Sequence, residues 1–192
     1  MERTNKKIIP YILWIGLLFG VALFSRALAQ EKYLDKNGTV IFEASEKVFE
    51  EVKAINRSTT VIYDAETHQI ASLALIKGFQ FKNSLMEEHF NENYIESSSY
   101  PKAKFRGSLV DLDLESLNEQ IQKVKVKGIL EVRGKEKEVE TTLDIQKVSN
   151  TISMTGEFIV TPADFDIKIP KIVRNKIAKE VTVRLDFKLA KK

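Results

Sequence analysis

The chain of 192 residues contains no cysteine and only two histidines. Without cysteine it cannot form a disulfide, a thiolate metal site or a thiol nucleophile. The two histidines, His68 and His89, lack further ligands at the spacing that a metal site requires. We therefore expect no metal and no cofactor, and a fold that depends on its hydrophobic core.

Glycine-rich segments and an excess of charge are also missing. The eight glycines are scattered singly, so the chain has no phosphate-binding glycine loop. Residues 1–29 hold four of the 30 basic and one of the 27 acidic residues, which leaves 26 of each in the rest of the chain. A remainder with no net charge argues against binding to nucleic acid.

Residues 1–29 have the pattern of a signal peptide. A basic start is followed by the uncharged apolar stretch Ile8–Phe24 and by an A-x-A cleavage site at Ala27–Ala29. The alternative is an uncleaved membrane anchor, for which Ile8–Phe24 is at the short limit. We predict cleavage at this site, which leaves residues 30–192 as a single domain.

Most of the remaining chain alternates between apolar and polar residues, which is typical of strands with one buried face. The pattern predicts seven to nine strands, which fall within Thr39–Ser45, Ser58–Tyr63, Gln69–Phe81, 105–114, 124–132, 139–145, 152–160, Asp164–Ile169 and Val181–Leu189. Short connections and one wet face per strand favour an antiparallel sheet, closed as a barrel or stacked as a sandwich. The predicted class is all-β with one or two short helices.

One segment interrupts the strands and predicts a helix. Met86, Phe90 and Tyr94 recur every four residues and form an apolar, aromatic face. Ser84 and Glu87 have the spacing of a capping box, in which each side chain satisfies a free backbone N–H. We expect this helix to begin at Ser84 and to line, close or fill one end of the sheet structure.

Four further patterns are less regular. Glu46–Ile55 predicts either a helical turn or a strand with an irregular start, and residues 172–179 predict a short helix. Gly78 indicates a bend or bulge within its strand. The alternation changes phase near Leu109, which indicates a β-bulge or a strand corner.

Aromatic residues and methionine concentrate in and around the predicted helix. One interpretation is that these side chains line an apolar tunnel, because binding sites for small molecules are mostly apolar and methionine adapts to irregular shapes. The alternative is ordinary core packing. The candidate tunnel residues are Phe42, Phe79, Phe81, Met86, Phe90, Tyr94, Phe105 and Phe158.

Polar side chains do not form a recognisable catalytic arrangement. Asp164 and Asp166 lie two residues apart on a predicted strand, so both should project outward into solvent. Ser97–Ser99 has no nucleophile-elbow context and no identifiable base. His89 is best interpreted as a packed or hydrogen-bonding helix residue. We predict no catalytic residue and therefore a protein that is not an enzyme.

An ordered set of motifs runs across about residues 38–190: Thr39–Phe42, Ile76–Phe81, Leu85–Phe90, Tyr94–Ser97 with Tyr100-Pro101, Phe105–Gly107 and Asp164–Ile167. Together these motifs resemble the YceI-like family. The helix followed by the Tyr-Pro and Phe-x-Gly elements is the most specific part. Two features depart from the family pattern: Arg133-Gly134 stands where many members have His-Gly, and Glu46–Thr60 matches less well.

The resemblance implies a lipocalin-like antiparallel β-barrel that is exported to the bacterial periplasm or secreted. It also implies that the barrel holds an isoprenoid, fatty-acid-like or other amphiphilic lipid, without established catalytic residues. Membrane contact would then be transient, for ligand exchange, and a homodimer is possible. The alternative function is a structural or interaction module whose barrel is filled with side chains.

Overall fold

The computed structural model describes residues 31–45, 51–173 and 177–192. The predicted signal peptide lies outside the described residues, as do residues 46–50 and 174–176, which belong to two segments with helical predictions. Residues Glu31–Lys192 belong to one compact unit. Among the described residues, no helix is long and apolar enough to cross a membrane.

The described residues form nine strands and several short helical segments. The strands are β1 (Lys32–Ser45), β2 (Lys53–Asp64), β3 (Gln69–Leu75), β4 (Gln80–Phe81), β5 (Lys102–Val110), β6 (Gln122–Val132), β7 (Lys135–Val148), β8 (Thr151–Val160) and β9 (Ile177–Lys191). Helix α1 covers Ser84–His89 and continues as a π-helical turn over Phe90–Tyr94. Short 3₁₀ turns cover Ile76–Gly78, Pro162–Phe165 and Lys171–Val173.

The strands pair antiparallel in the order β1-β9-β8-β7-β6-β5-β3-β2, and β2 returns to β1. This closure makes an eight-stranded barrel, and the two-residue strand β4 pairs with the end of β2. A closed barrel satisfies the backbone groups that an open sheet leaves at its edges. The structure confirms the predicted all-β antiparallel barrel with short helical segments and excludes the sandwich.

One half of the barrel interior is densely packed, and the other half is hollow. The core side chains of the dense half are at most 7 % exposed: Tyr33, Val61, Tyr63, Ile70, Leu109, Leu112, Leu117, Val124, Val126, Leu143, Ile145, Ile152, Met154, Phe187 and Leu189. Leu112 and Leu117 come from the loop after β5 and pack into this core. In the other half, inward side chains such as Val139 and Val183 are half-buried and face a cavity.

The predicted strand Gln69–Phe81 is interrupted by the 3₁₀ turn at Ile76–Gly78. The buried side chain of Asn56 explains this bend, because its Nδ2 donates to the Leu75 carbonyl at 3.0 Å. A Cβ atom at Gly78 would lie 2.7 Å from the same nitrogen. Glycine therefore leaves room for the amide that holds the bend, as the pattern at this position indicated.

Strand boundaries account for two other irregular patterns. Ile55 pairs with Ile41 in β1, so the described end of the segment with an ambiguous helical pattern belongs to strand β2. The predicted β-bulge or strand corner near Leu109 is wrong, because β5 and β6 pair in continuous register up to Val110. β5 ends at Val110, and Asp111 adopts a left-handed φ of 59°, so the change of phase marks the beginning of a loop.

The predicted strand Asp164–Ile169 is also wrong. Pro162–Phe165 forms a 3₁₀ turn, and Asp166 ends it with a left-handed φ of 56°. Phe165 is 2 % exposed, so its burial fixes this turn more strongly than the alternating pattern favours a strand. Of the predicted helix at 172–179, the described part contains the end of one 3₁₀ turn and the start of β9.

Candidate functional site

The hollow half of the barrel contains an apolar cavity of about 600 Å³. Of the described residues that line it, Lys104 is the one lysine or arginine, and none is aspartate or glutamate. The Nζ of Lys104 lies 2.9 Å from both carboxylate oxygens of Glu131, so its charge is paired. The cavity can therefore hold an apolar group without desolvating an unpaired charge.

The structure brings all eight predicted tunnel residues to the cavity wall. They are Phe42 on β1, Phe79 before β4, Phe81 on β4, Met86 on α1, Phe90 and Tyr94 on its π-helical continuation, Phe105 on β5 and Phe158 on β8. Phe79 is buried, and the other seven are half-buried. Contact between these side chains and a ligand remains a prediction.

Four of the eight residues form one aromatic cluster. The ring centroid of Phe90 lies 5.2 Å from that of Phe42, 5.2 Å from that of Phe81 and 6.0 Å from that of Phe79. Aromatic pairs are favourable at such separations when the rings are tilted, as they are here. The cluster therefore holds the helical segment against the barrel while the same rings face the cavity. Core packing and wall lining both describe these residues.

Helix α1 begins with a cap that differs from the predicted one. The Oδ1 of Asn83 accepts a hydrogen bond from the backbone N–H of Leu85 at 2.9 Å. The carboxylate of Glu87 accepts from the backbone N–H of Phe81 at 3.0 Å and so ties α1 to β4. The helix begins at Ser84, as predicted, but its N-cap residue is Asn83, whose backbone is extended. The predicted capping box of Ser84 and Glu87 is therefore wrong.

The exposed side of α1 marks the opening of the cavity. Leu85 lines the cavity and is 56 % exposed, and His89 also lines it and is exposed. A side chain with both properties must lie where the cavity meets solvent. Tyr94 also lines the cavity and is half-buried, and this burial raises the pKa of its hydroxyl above the ordinary value of 10.0.

The other histidine lies in a different part of the structure. The Nδ1 of His68 is 3.2 Å from the hydroxyl of Tyr63, at the turn between β2 and β3. Among the described residues, no group of three or more His, Cys, Asp or Glu side chains could hold a metal ion.

The closed barrel and its cavity agree with what comparisons of the sequence find. The family model of the YceI-like domain matches residues 33–189. The chain belongs to the YceI-like family. This confirms the family that the ordered motifs indicated. No curated protein matches the sequence.

Several solved structures have the same fold at low sequence identity. A polyisoprenoid-binding domain from Saccharophagus degradans is 15 % identical, with a TM-score of 0.73 over 85 % of this chain and 99 % of that domain. BcnA from Burkholderia cenocepacia is 14 % identical, with a TM-score of 0.64 over 79 % and 96 %. A YceI protein from Campylobacter jejuni is 14 % identical, with a TM-score of 0.61 over 77 % and 88 %.

A polar cluster lies beside the cavity of this YceI-like barrel. It is defined here as the Arg133 cluster and consists of Glu96, Tyr100, Arg133, Lys135 and Asp166. The guanidinium of Arg133 donates to a carboxylate oxygen of Glu96 and, at 3.0 Å, to the backbone carbonyl of Asp166. Its central carbon lies 5.6 Å from the ring centroid of Tyr100. The cluster therefore connects the segment after α1, the β6–β7 turn and the turn after β8.

The Arg133 cluster combines shifted pKa values with left-handed backbone geometry. The hydrogen bond from Lys135, at 2.9 Å, lowers the pKa of Asp166, and Glu96 raises the pKa of Arg133. Glu96, Arg133 and Asp166 all adopt left-handed φ angles between 50° and 56°, which residues other than glycine adopt rarely. Sequence analysis missed this cluster, although it noted Arg133-Gly134 as a departure from the YceI-like pattern.

Sequence analysis also missed the aliphatic part of the YceI-like cavity wall. Val139, Val160 and Val183 line the cavity. Their alternation predicted that they face inward, as they do. The pattern could not show whether an inward residue meets the cavity or the packed core, because that depends on its height along the barrel.

Proposed function

We propose that this chain is an exported lipid-binding protein that holds a polyisoprenoid, or another amphiphile with a long apolar chain, inside its barrel. The observation that carries the proposal is the apolar cavity of about 600 Å³, which reaches solvent beside α1. Membership of the YceI-like family supports it. So does the structural likeness to a domain described as polyisoprenoid-binding.

The mechanism is the removal of an apolar chain from water. Each methylene that leaves water contributes about 0.8 kcal/mol, so a long chain binds without any specific polar contact. Met86 can adjust its rotamers to a flexible chain, and the ring faces around Phe90 offer a broad apolar surface. No step in this mechanism makes or breaks a covalent bond, which is consistent with a binding protein and not an enzyme.

The polar end of the ligand is expected at the opening. Asn83 and His89 line the cavity near α1, where a head group can keep its contact with water. The exposed apolar side chain of Leu85 lies at the same opening. Transient contact of this edge with a membrane would let an apolar chain pass between bilayer and barrel. A Leu85→Glu variant should exchange lipid with vesicles more slowly than the unaltered protein.

Export is inferred from the signal-peptide pattern of residues 1–29. The protein would then function in the bacterial periplasm or outside the cell. The mature protein should begin at Gln30. Mass spectrometry of protein isolated from its source tests this directly, because an uncleaved chain retains the mass of the leader. Mass spectrometry under native conditions also shows whether the protein is a monomer or the proposed homodimer.

A cavity-blocking variant tests the proposed function. Val139 lines the cavity, whereas the neighbouring Glu138 on β7 is exposed on the outer face. We expect Val139→Trp to weaken binding of a prenyl alcohol to delipidated protein, because the indole takes part of the space that the chain would occupy. Glu138→Trp is the matched control and should bind normally. Equal binding by both variants, with both folded, would show that the cavity is not the lipid site.

A further inference from the structure

The cavity ends abruptly at a layer of core side chains halfway along the barrel. On three strands the lining stops at a defined residue: Val126 on β6, Leu143 on β7 and Phe187 on β9. The next inward residue on each strand belongs to the core and does not line the cavity: Val124, Ile145 and Leu189. Ile145 and Leu189 are completely buried. The dense half of the barrel therefore offers no continuation for a bound chain.

Glycines on neighbouring strands let large side chains lie across the barrel at this level. The Cδ2 atom of Leu143 is 2.6 Å from the position that a Cβ at Gly156 would occupy. A ring carbon of Phe187 lies 2.8 Å from the Cβ position of Gly38.

Phe105 covers a pair of glycines in the same way. Gly107 and Gly128 face each other on β5 and β6, and the Cζ of Phe105 lies 2.7 Å from the Cβ position of each. All three side chains, Phe105, Leu143 and Phe187, line the cavity and also pack in or against the dense core. Together these three side chains form the floor of the cavity. They pack against the backbone of these glycines, so a ligand cannot push them toward the dense half without moving strands.

We infer that the floor limits the ligand to an apolar chain of about 20 carbons, with its polar end at α1. The inference rests on the proposed lipid-binding function. A carbon-sized group occupies about 30 Å³, the volume share of a water molecule, so a cavity of about 600 Å³ holds roughly 20 of them. Longer chains leave their surplus outside the opening, in water, where it adds no affinity.

Binding of a series of prenyl alcohols to the delipidated protein tests the limit. Prenyl alcohols lengthen by five-carbon units, and affinity should rise with each unit, at about fourfold for each buried methylene equivalent, until the chain reaches roughly 20 carbons. It should then stay constant. An affinity that keeps rising to chains of about twice that length would overturn the inference. Failure of every chain length to bind would instead contradict the proposed function.

Two truncations on one strand test the role of the floor itself. Leu143→Ala removes a floor side chain, whereas Ile145→Ala removes the same number of atoms one layer deeper, from a residue that does not line the cavity. The first variant should shift the plateau to longer chains, and the second should leave it unchanged. An equal shift in both variants, or none in either, would overturn the assignment. Should Leu143→Ala not fold, Phe105→Leu tests the same floor with a half-buried side chain.

Discussion

Two threonines on the cavity wall differ in one hydrogen bond. The hydroxyl of Thr141 donates to the carbonyl of Glu157 at 2.6 Å, whereas the buried Oγ1 of Thr59 has no partner among the described residues. A buried hydroxyl without a partner costs free energy, because it has lost its hydrogen bonds to water. The two positions therefore predict opposite effects of the same substitution.

We predict that Thr59→Val raises the free energy of unfolding of the ligand-free protein by about 1 kcal/mol, since valine has the same shape without the hydroxyl. Thr141→Val should lower it by about 1 kcal/mol, because the Glu157 carbonyl loses its donor. Chemical denaturation of both variants measures the two values. A loss of stability in Thr59→Val would contradict the absence of a partner for that hydroxyl.

The cap of α1 provides a second test at a single residue. Asn83→Ala removes the acceptor for the first turn and should lower the free energy of unfolding by about 1 kcal/mol. Ser84→Ala should have almost no effect, because Ser84 is the first helical residue and is exposed. Denaturation curves of the two variants decide between them. If Ser84→Ala lowered the free energy of unfolding more than Asn83→Ala, the capping box at Ser84 would be correct and the cap at Asn83 would be wrong.

At the scale of an element, the helical segment is held by its aromatic face. Phe90→Ala removes the ring that contacts three other phenylalanines and should lower the free energy of unfolding by about 2–3 kcal/mol. Leu85→Ala on the exposed side should change it by about 0.5 kcal/mol or less. Equal losses in the two variants would show that the aromatic cluster does not fasten the helix.

The turn after β8 should respond to acid. The hydrogen bond from Lys135 lowers the pKa of Asp166 below its ordinary value of 3.8. The ion pair therefore stabilises the folded state fully above pH 3.8, and this stabilisation is lost as the pH falls through the lowered pKa of Asp166 in the folded protein. Hydrogen exchange at residues 163–167, corrected for intrinsic rates, should therefore accelerate below pH 3.8. Asp166→Asn should remove this acceleration. If hydrogen exchange in Asp166→Asn still accelerated below pH 3.8, another carboxylate would be responsible.

The sequence predicts elements well where one period dominates. Alternation identified β6, β7, β8 and β9, and helical spacing identified the segment with Met86, Phe90 and Tyr94. It failed where a tertiary contact decides the local structure. The burial of Phe165 and the left-handed Asp166 replace a predicted strand with a turn. The Arg133 cluster joins three distant segments, which no local pattern can show.

At the scale of the whole molecule, the barrel is divided into a dense half and a hollow half. Inward orientation follows from alternation alone, so Leu143 and Ile145 give the same signal in the sequence. Their surroundings differ, because Leu143 borders the cavity and Ile145 is enclosed by the core. The position of that boundary depends on the stagger of the strands and on glycines such as Gly156, which come together when the barrel closes.

The division also explains how one small barrel can be stable and still bind a chain. The dense half supplies the packed core that a chain without disulfides requires. The hollow half then leaves apolar side chains such as Phe158 and Val183 half-buried, and a ligand completes their burial. Bound lipid should therefore raise the thermal stability of the protein, since it binds the folded state alone.

The most direct test of the lipid-binding account is native mass spectrometry of the protein purified from its source, followed by organic extraction. The account predicts a one-to-one complex that releases an apolar, chain-like lipid, and predicts that Val139→Trp is isolated with less of it. Protein that is isolated ligand-free, and that takes up no chain of any length when lipids are offered, would contradict it.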